Sequence, residues 1–209
     1  VIKVRGVKHL FGGTHTIIPD QIEAGTYMTA VAATGGSILV ENVIPKHMDC
    51  ITAKLREMGV QVTEYDEAIR VERNDRPLRK TNVKTMPYPG FPTDAQAILM
   101  AALVRSRGTT VFEENIFENR YRHVDELVRM GADIRVSGRT AVVTGVEHLS
   151  GAAVRCTDLR GGAALCVAAL AAEGESRLFE TGHIDRGYED IVRDLGALGA
   201  RISRTEEMN

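Results

Sequence analysis

The feature that most constrains this chain is an internal repeat. Gly59-Val60-Gln61-Val62, Gly131-Ala132-Asp133-Ile134 and Gly199-Ala200-Arg201-Ile202 lie 72 and 68 residues apart. A second marker spans twice that distance: Gly6-Val7-Lys8-His9-Leu10 returns as Gly145-Val146-Glu147-His148-Leu149, an offset of 139. A period of about 70 residues is too long for the common solenoids, so each copy has to be a small α/β unit of its own. Such units bury their apolar faces only against one another. What differs between the copies then points to function.

The hydrophobic pattern predicts the same order in each copy: helix, strand, helix, strand pair. In copy one a helix is expected over about 24–34, a strand at Ser37–Val43, and a helix carrying Met48, Ile51, Leu55 and Met58 on one face. Strands at about 60–64 and 68–72 close it. Copy two reads as a helix at about 94–105, a strand at 109–113, a helix at about 121–130 buried through Val124, Leu127 and Val128, and strands at 134–136 and 141–144. Copy three runs through a helix at about 161–173 and a strand at 176–180. A helix with Ile191, Val192, Leu195 and Leu198 follows, then one strand, Ala200–Ser203.

On this count copy three is one strand short, and residues 1–19 read as the closing strands and linker of a preceding domain. An unpaired sheet edge is a liability. The expectation is therefore of further copies upstream, whose N-terminal segment supplies the missing strand. Residues 20–209 read as a second domain of three repeats, at about 20–86, 87–158 and 159–209.

Composition excludes several classes of function. A net charge of −2 gives no global field for nucleic acid or an anionic membrane, so any anion site is local. The longest apolar stretches fall far short of a membrane span. Three cysteines (Cys50, Cys156, Cys166) without CxxC spacing suggest a reducing compartment. The six histidines show no metal-ligand spacing, and His123 reads as a helix-surface or capping residue. Cys166 falls in the apolar run Ala163–Ala172 and reads as core.

The copies diverge in two loops. Before its first helix, copy two has Pro87-Tyr88-Pro89-Gly90-Phe91-Pro92-Thr93-Asp94, where three prolines stiffen the approach to Asp94. Thr93 or Asp94 as a simple helix cap is one reading. A cap, however, needs no such scaffold. Before the second helix, copy two has Glu118-Asn119-Arg120-Tyr121 and copy three has His183-Ile184-Asp185-Arg186-Gly187-Tyr188, while copy one has Lys46. Cations at helix N-termini oppose the dipole. Either neighbouring acids, Glu118 and Asp185, neutralise these arginines, or the pair is an oxyanion receptor.

These loops carry a resemblance. Pro87–Gln96, Glu118–Leu127 (ENRYRHVDEL), His183–Tyr188 (HIDRGY), Ile22–Gly36 and the Leu159-Arg160 turn resemble the signature segments of the UDP-N-acetylglucosamine 1-carboxyvinyltransferase family. The resemblance covers essentially the whole chain. It implies an inside-out α/β barrel of three βαβαββ repeats, with this chain the C-terminal half, truncated on its N-terminal side. It implies transfer of enolpyruvyl from phosphoenolpyruvate to the 3′-hydroxyl of UDP-N-acetylglucosamine with release of phosphate, in the cytoplasm, in peptidoglycan synthesis, without a cofactor or metal. The partners implied are those two substrates and the missing N-terminal half, with no nucleic acid and no membrane.

Residue roles follow by the same resemblance. Asp94 matches the base for the sugar hydroxyl. Ile116 matches a contact to the UDP-sugar through its backbone. Arg120 and Arg186 match the arginines that hold phosphoenolpyruvate, and Arg160 matches a further active-site arginine. The family's reactive cysteine and its lysine–asparagine pair belong to the half not present here, and none of the three cysteines stands in for them. Gln21 falls opposite Arg160 at the 139 offset, where many relatives are expected to carry arginine. The alternative is a non-catalytic relative that binds a nucleotide sugar or a protein partner, and residues 1–209 do not separate the two. A repeat scaffold with no small-molecule site is disfavoured by the singular loops at 87–96 and 183–188.

Overall fold

A computed structural model describes residues 1–205. Three helices form its centre: α1 (Gln21–Thr34), α3 (Thr93–Leu103) and α5 (Leu159–Leu170), each packed on the other two. Their sequences are apolar or small nearly all round. Ala95 through Leu103 are buried without a break, and so are Gly161 through Ala168. A helix with no polar face belongs in an interior, which is why these three sit inside. The sheets and the amphipathic helices lie outside them.

Copy two forms a complete βαβαββ unit. A short strand β4 (Val83–Lys84) pairs parallel with β5 (Thr109–Glu113), on the far side of α3. Helix α4 (Val124–Arg129) leads to the hairpin β6 (Asp133–Ser137) and β7 (Thr140–Thr144), giving the order β4-β5-β7-β6. Copy one shows the same core: β1 (Gly36–Glu41), α2 (Pro45–Glu57), β2 (Gln61–Glu64) and β3 (Ala68–Arg73), in the order β1-β3-β2. Copy three has β8 (Ala153–Arg155) parallel to β9 (Arg177–Phe179), a 3-10 turn at Thr181–Arg186, and α6 (Ile191–Ala197). The parallel strands β4 and β8 are only two and three residues long, too short for a hydrophobic pattern to show.

The glycine markers have a physical cause. Gly59, Gly131 and Gly199 have φ of +93°, +98° and +98°, each just past the end of α2, α4 or α6. A left-handed residue there reverses the chain into the next segment, and glycine adopts it without strain. The second marker behaves differently in its two occurrences. Gly145 lies so close to Ser106 that a Cβ would come within 1.6 Å of its carbonyl oxygen, and Leu149 is 1% exposed. The matching Leu10 is 92% exposed, and residues 1–19 form neither helix nor strand. The strands expected there have nothing among the described residues to pair with.

Three further expectations need correction. Ala200–Ser203 is not a strand. Its counterparts β2 and β6 each pair with a closing strand, β3 or β7, and no such strand follows in copy three among the described residues. Val128 and Leu198 are exposed at 44% and 55%. Helices α4 and α6 are only six and seven residues long, so the stripe does not extend to their ends, and Met130 fills the buried place beyond α4. His123 does stand at the N-cap position of α4, but it is buried rather than on the surface and makes no side-chain cap bond.

Candidate active site

Asp94 is the second residue of α3. Neither it nor Thr93 caps that helix through its side chain, since Pro92 is the N-cap and no side-chain cap bond forms there. Instead, Arg120 donates Nη2–H to Asp94 Oδ1, and Arg160 approaches Oδ2 through Nε and Nη2, both at 3.3 Å. One carboxylate is thus held between two guanidiniums, one on each oxygen. The side chains are 40% exposed for Asp94, 19% for Arg120 and 13% for Arg160, so the acid faces outward and the cations lie beneath. Arg120 Nε and Arg160 Nη1 are buried and find no protein acceptor among the described residues.

The two cations come from different copies. Arg160 is the second residue of α5, whose N-cap Asp158 accepts from the Arg160 and Gly161 amides at 3.0 and 2.8 Å. Because Asp158 satisfies the helix end, the side chain of Arg160 is free to reach across to α3. Arg120 lies in the turn after β5, with its guanidinium carbon 5.2 Å from the centre of the Phe117 ring. The acids beside Arg120 and Arg186 in the sequence are engaged elsewhere: Glu118 is 3.8 Å from Arg139, and Asp185 accepts twice from Arg204, at 2.6 and 3.2 Å.

The structure does not bring Arg186 to this cluster. It ends the 3-10 turn, is exposed, and makes no ion pair with any described residue. Its flanks are nevertheless fixed. Ile184 and Tyr188 are buried, and a Cβ on Gly162 would meet the Ile184 side chain at 2.8 Å. Tyr188 Oη lies 2.7 Å from Thr26 Oγ1, which itself donates to the Ile22 carbonyl, so the tyrosine is the donor of that pair. Ile116 is partly exposed, but its amide already donates to Glu114 at 2.8 Å. Of its backbone polar groups, only the carbonyl is open to a ligand.

The α1 position opposite Arg160 is not Gln21. Aligned on their N-caps, Asp20 and Asp158, the helices place Gln21 against Leu159 and Ile22 against Arg160. Ile22 is buried, so copy one contributes packing where copy three contributes a cation.

Two buried residues escaped the pattern reading. Glu114, 1% exposed, accepts from Thr85 Oγ1, Thr93 Oγ1 and the amides of Ile116 and Phe117, all within 2.8–3.0 Å. Strand alternation is the signal that finds it: Thr110 and Phe112 are buried on β5, and Glu114 continues the alternation one residue past its end. His123 precedes α4 and packs its Cβ against Gly161. Burial pushes its imidazole down to about 4, with Asp158 raising it and Arg120 lowering it.

The cysteines are poor nucleophiles. Burial pushes the Cys156 thiol up to about 11, helped by Glu180, and the Cys166 thiol up to about 12. Cys50 is raised in the same way. Among the described residues no group of His, Cys, Asp and Glu could hold a metal, and no helix is long and apolar enough to cross a membrane.

Comparison with known proteins fits this geometry to a family. The model described as EPSP synthase (3-phosphoshikimate 1-carboxyvinyltransferase) matches residues 1–195. A UDP-N-acetylglucosamine 1-carboxyvinyltransferase of Desulfofundulus thermocisternus is 57% identical over 205 residues, 98% of this chain and 84% of the relative. UDP-N-acetylglucosamine 1-carboxyvinyltransferase 3 of Caldanaerobacter subterraneus subsp. tengcongensis is 55% identical over 99% of this chain but 49% of its own length. The chain spans about half the length of most of the curated relatives it matches. The crystal structure of the enolpyruvyl transferase NikO from Streptomyces tendae superposes with a TM-score of 0.80 at 30% identity, over 89% of this chain and 44% of that one. The EPSP synthase from Acinetobacter baumannii shares the fold at 18% identity, with a TM-score of 0.66 over 93% of this chain.

Proposed function

The chain belongs to the UDP-N-acetylglucosamine 1-carboxyvinyltransferase family within the EPSP synthase group, and on that premise we propose that it supplies one side of an active site moving enolpyruvyl from phosphoenolpyruvate to the 3′-hydroxyl of UDP-N-acetylglucosamine. The observation that carries the reading is the Asp94 carboxylate between Arg120 and Arg160. The sugar oxygen adds to C2 of phosphoenolpyruvate while Asp94 takes its proton. C3 gains a proton in the addition. It loses one again as the bond from C2 to the phosphate oxygen breaks and phosphate departs, leaving the new bond to the sugar oxygen in place. Arginine suits both anionic ends of this substrate, because its fork matches carboxylate and phosphate.

Asp94 is the counter-ion of Arg120 and Arg160. Arrival of phosphoenolpyruvate gives the two guanidiniums a stronger anion and frees the carboxylate for the sugar hydroxyl. Arg186, exposed on an anchored turn, adds a third cation as the substrate is enclosed. Ile116 offers its carbonyl to the UDP-sugar. The groups that complete the site, including the acid that protonates C3, lie outside residues 1–209, in the half that the longer relatives carry. Residues 1–19 then belong to the preceding domain and 20–209 to the second. The pathway is peptidoglycan synthesis, in the cytoplasm.

The test is phosphate release by the enzyme at its relatives' full length. Release should require both substrates, and residues 1–209 alone should give none. Asp94→Asn should lower turnover by about two orders of magnitude or more with the fold intact. Near-normal turnover in the folded variant would remove Asp94 from its role as base. Binding of the sugar nucleotide without any turnover in the wild type would favour the non-catalytic reading.

A further inference from the structure

Asp94 and Arg120 come from separate segments, the start of α3 and the turn after β5, and one buried carboxylate is bonded to both. Glu114 Oε2 accepts from the hydroxyl of Thr93, the residue immediately before Asp94, at 2.9 Å. Its Oε1 accepts from the amides of Ile116 and Phe117 at 2.8 and 3.0 Å, and the Phe117 ring lies under the Arg120 guanidinium. A third anchor is Thr85, which donates to Oε1 and accepts from the Asn115 amide at 2.8 Å. Glu114 makes no ion pair with a described residue.

A carboxylate buried without a cation is costly and persists only where donors replace water. The repeat does not demand one here, because the corresponding Glu180 of copy three is exposed and pairs with Arg155. We propose that Glu114 is a positioning residue: it sets the distance between Asp94 and Arg120 by tying the first residue of α3 to the turn that carries the arginine. The inference rests on the reading of Asp94 and Arg120 as the groups that meet the substrates.

Three variants at the relatives' full length test it. In Glu114→Gln the amide oxygen keeps the Oε1 contacts, and the Thr93 hydroxyl turns round to accept from the new NH2. This variant should hold kcat within about threefold of wild type, whereas Glu114→Ala should lose roughly tenfold or more with each KM within about threefold. In an Asp94→Asn background, Glu114→Ala should cost less than about twofold further, because residues acting through one group are not additive. A crystal structure of Glu114→Ala should lack the Asp94–Arg120 ion pair, and one of Glu114→Gln should keep it. Should the alanine variant fail to fold, Thr93→Val cuts the tie to α3 alone and should repeat the pattern at smaller size. A full additive loss in the Asp94→Asn background, or an Asp94–Arg120 pair intact in the alanine or valine variant, would overturn the proposal. If the wild type releases no phosphate, the reading of function fails, and the crystallographic comparison still decides the positioning role.

Discussion

The turn after β5 and the turn after β9 occupy the same place in two copies of one repeat, yet they treat the same residue types in opposite ways. The backbone correspondence is close: Thr85 donates its amide to the Glu113 carbonyl and Cys156 donates its amide to the Phe179 carbonyl, both at 2.9 Å. The next residue in each turn is a glutamate. Glu114 is buried under four donors, whereas Glu180 swings out at φ +59° and bonds Arg155 at 2.6 Å. The neighbour explains the difference. Thr85 presents a hydroxyl that donates to one carboxylate and accepts from the following amide, and a thiol at Cys156 is too weak a donor to do this. The arginine downstream follows its glutamate, with Arg120 held against Asp94 and Arg186 exposed. One turn holds its arginine against a carboxylate, and the other leaves its arginine exposed.

The largest expected effect separates the two arginines. Arg120→Ala should weaken phosphoenolpyruvate handling by about 2–5 kcal/mol, since it leaves an anionic end of the enclosed substrate without its partner. It should also lower the thermal midpoint, because the pair with Asp94 is part of the fold. Arg186→Ala should impair the same substrate while stability stays within about 0.5 kcal/mol of wild type, as at other exposed positions. Steady-state kinetics varying each substrate, with melting curves on the same preparations, check both halves. A defect confined to the UDP-sugar, or equal loss of stability in the two variants, would break the comparison.

A second contrast concerns the buried polar residue behind each turn. His123 has no hydrogen-bond partner among the described residues for either ring nitrogen, while Tyr188 is bonded to Thr26. Burial holds the His123 imidazole at about 4, against an ordinary value of 6.5. The unfolded chain therefore takes up a proton before the folded one does. Stability should be whole above about pH 6.5, fall between there and about pH 4, and level off below, a span on the order of 3 kcal/mol from this residue. Urea unfolding at several pH values, for wild type and His123→Asn, measures it. An unchanged acid slope in the variant would mean that His123 is reached by water in the folded protein.

Much of this arrangement is legible in the sequence, and its gaps have physical causes. Gly59, Gly131 and Gly199 mark the repeat because each must take a left-handed φ, a demand that the local sequence reveals. Met48, Ile51, Leu55 and Met58 are all buried, as a thirteen-residue amphipathic helix requires. The site loops stand out because prolines and arginines there serve no packing purpose. Partners are less visible. That Arg120 turns to Asp94 rather than Glu118 depends on how α3 and the turn after β5 are brought together, which spacing along the chain does not encode. Glu114 was masked by its neighbour Glu113, since paired acids at a strand end read as solvent-exposed unless the alternation from Thr110 through Phe112 is carried one residue further. Ala200–Ser203 has the composition of a strand, but a strand forms only against a partner.

The smallest effect tests whether the anchor behind the open turn matters to chemistry or only to stability. The Tyr188 hydroxyl donates to Thr26, and Thr26 spends its own proton on the Ile22 carbonyl. Tyr188→Phe thus leaves one acceptor lone pair unmet at Thr26 and removes an oxygen that the Arg160 guanidinium faces. The loss should sit near the low end of the usual range for a hydrogen bond, about 0.5–1.5 kcal/mol. The ring stays in its buried place beside Gly187, so the path of the turn and the position of Arg186 should be kept. The KM for phosphoenolpyruvate should then change by less than about twofold, a difference of under roughly 0.4 kcal/mol. Melting curves and kinetics on this one variant separate the two quantities. If its kinetic loss approached that of Arg186→Ala, the hydroxyl would be acting on the arginine's position. The turn after β9 would then be as finely held as the turn after β5, and the contrast between a built turn and an open one would not stand.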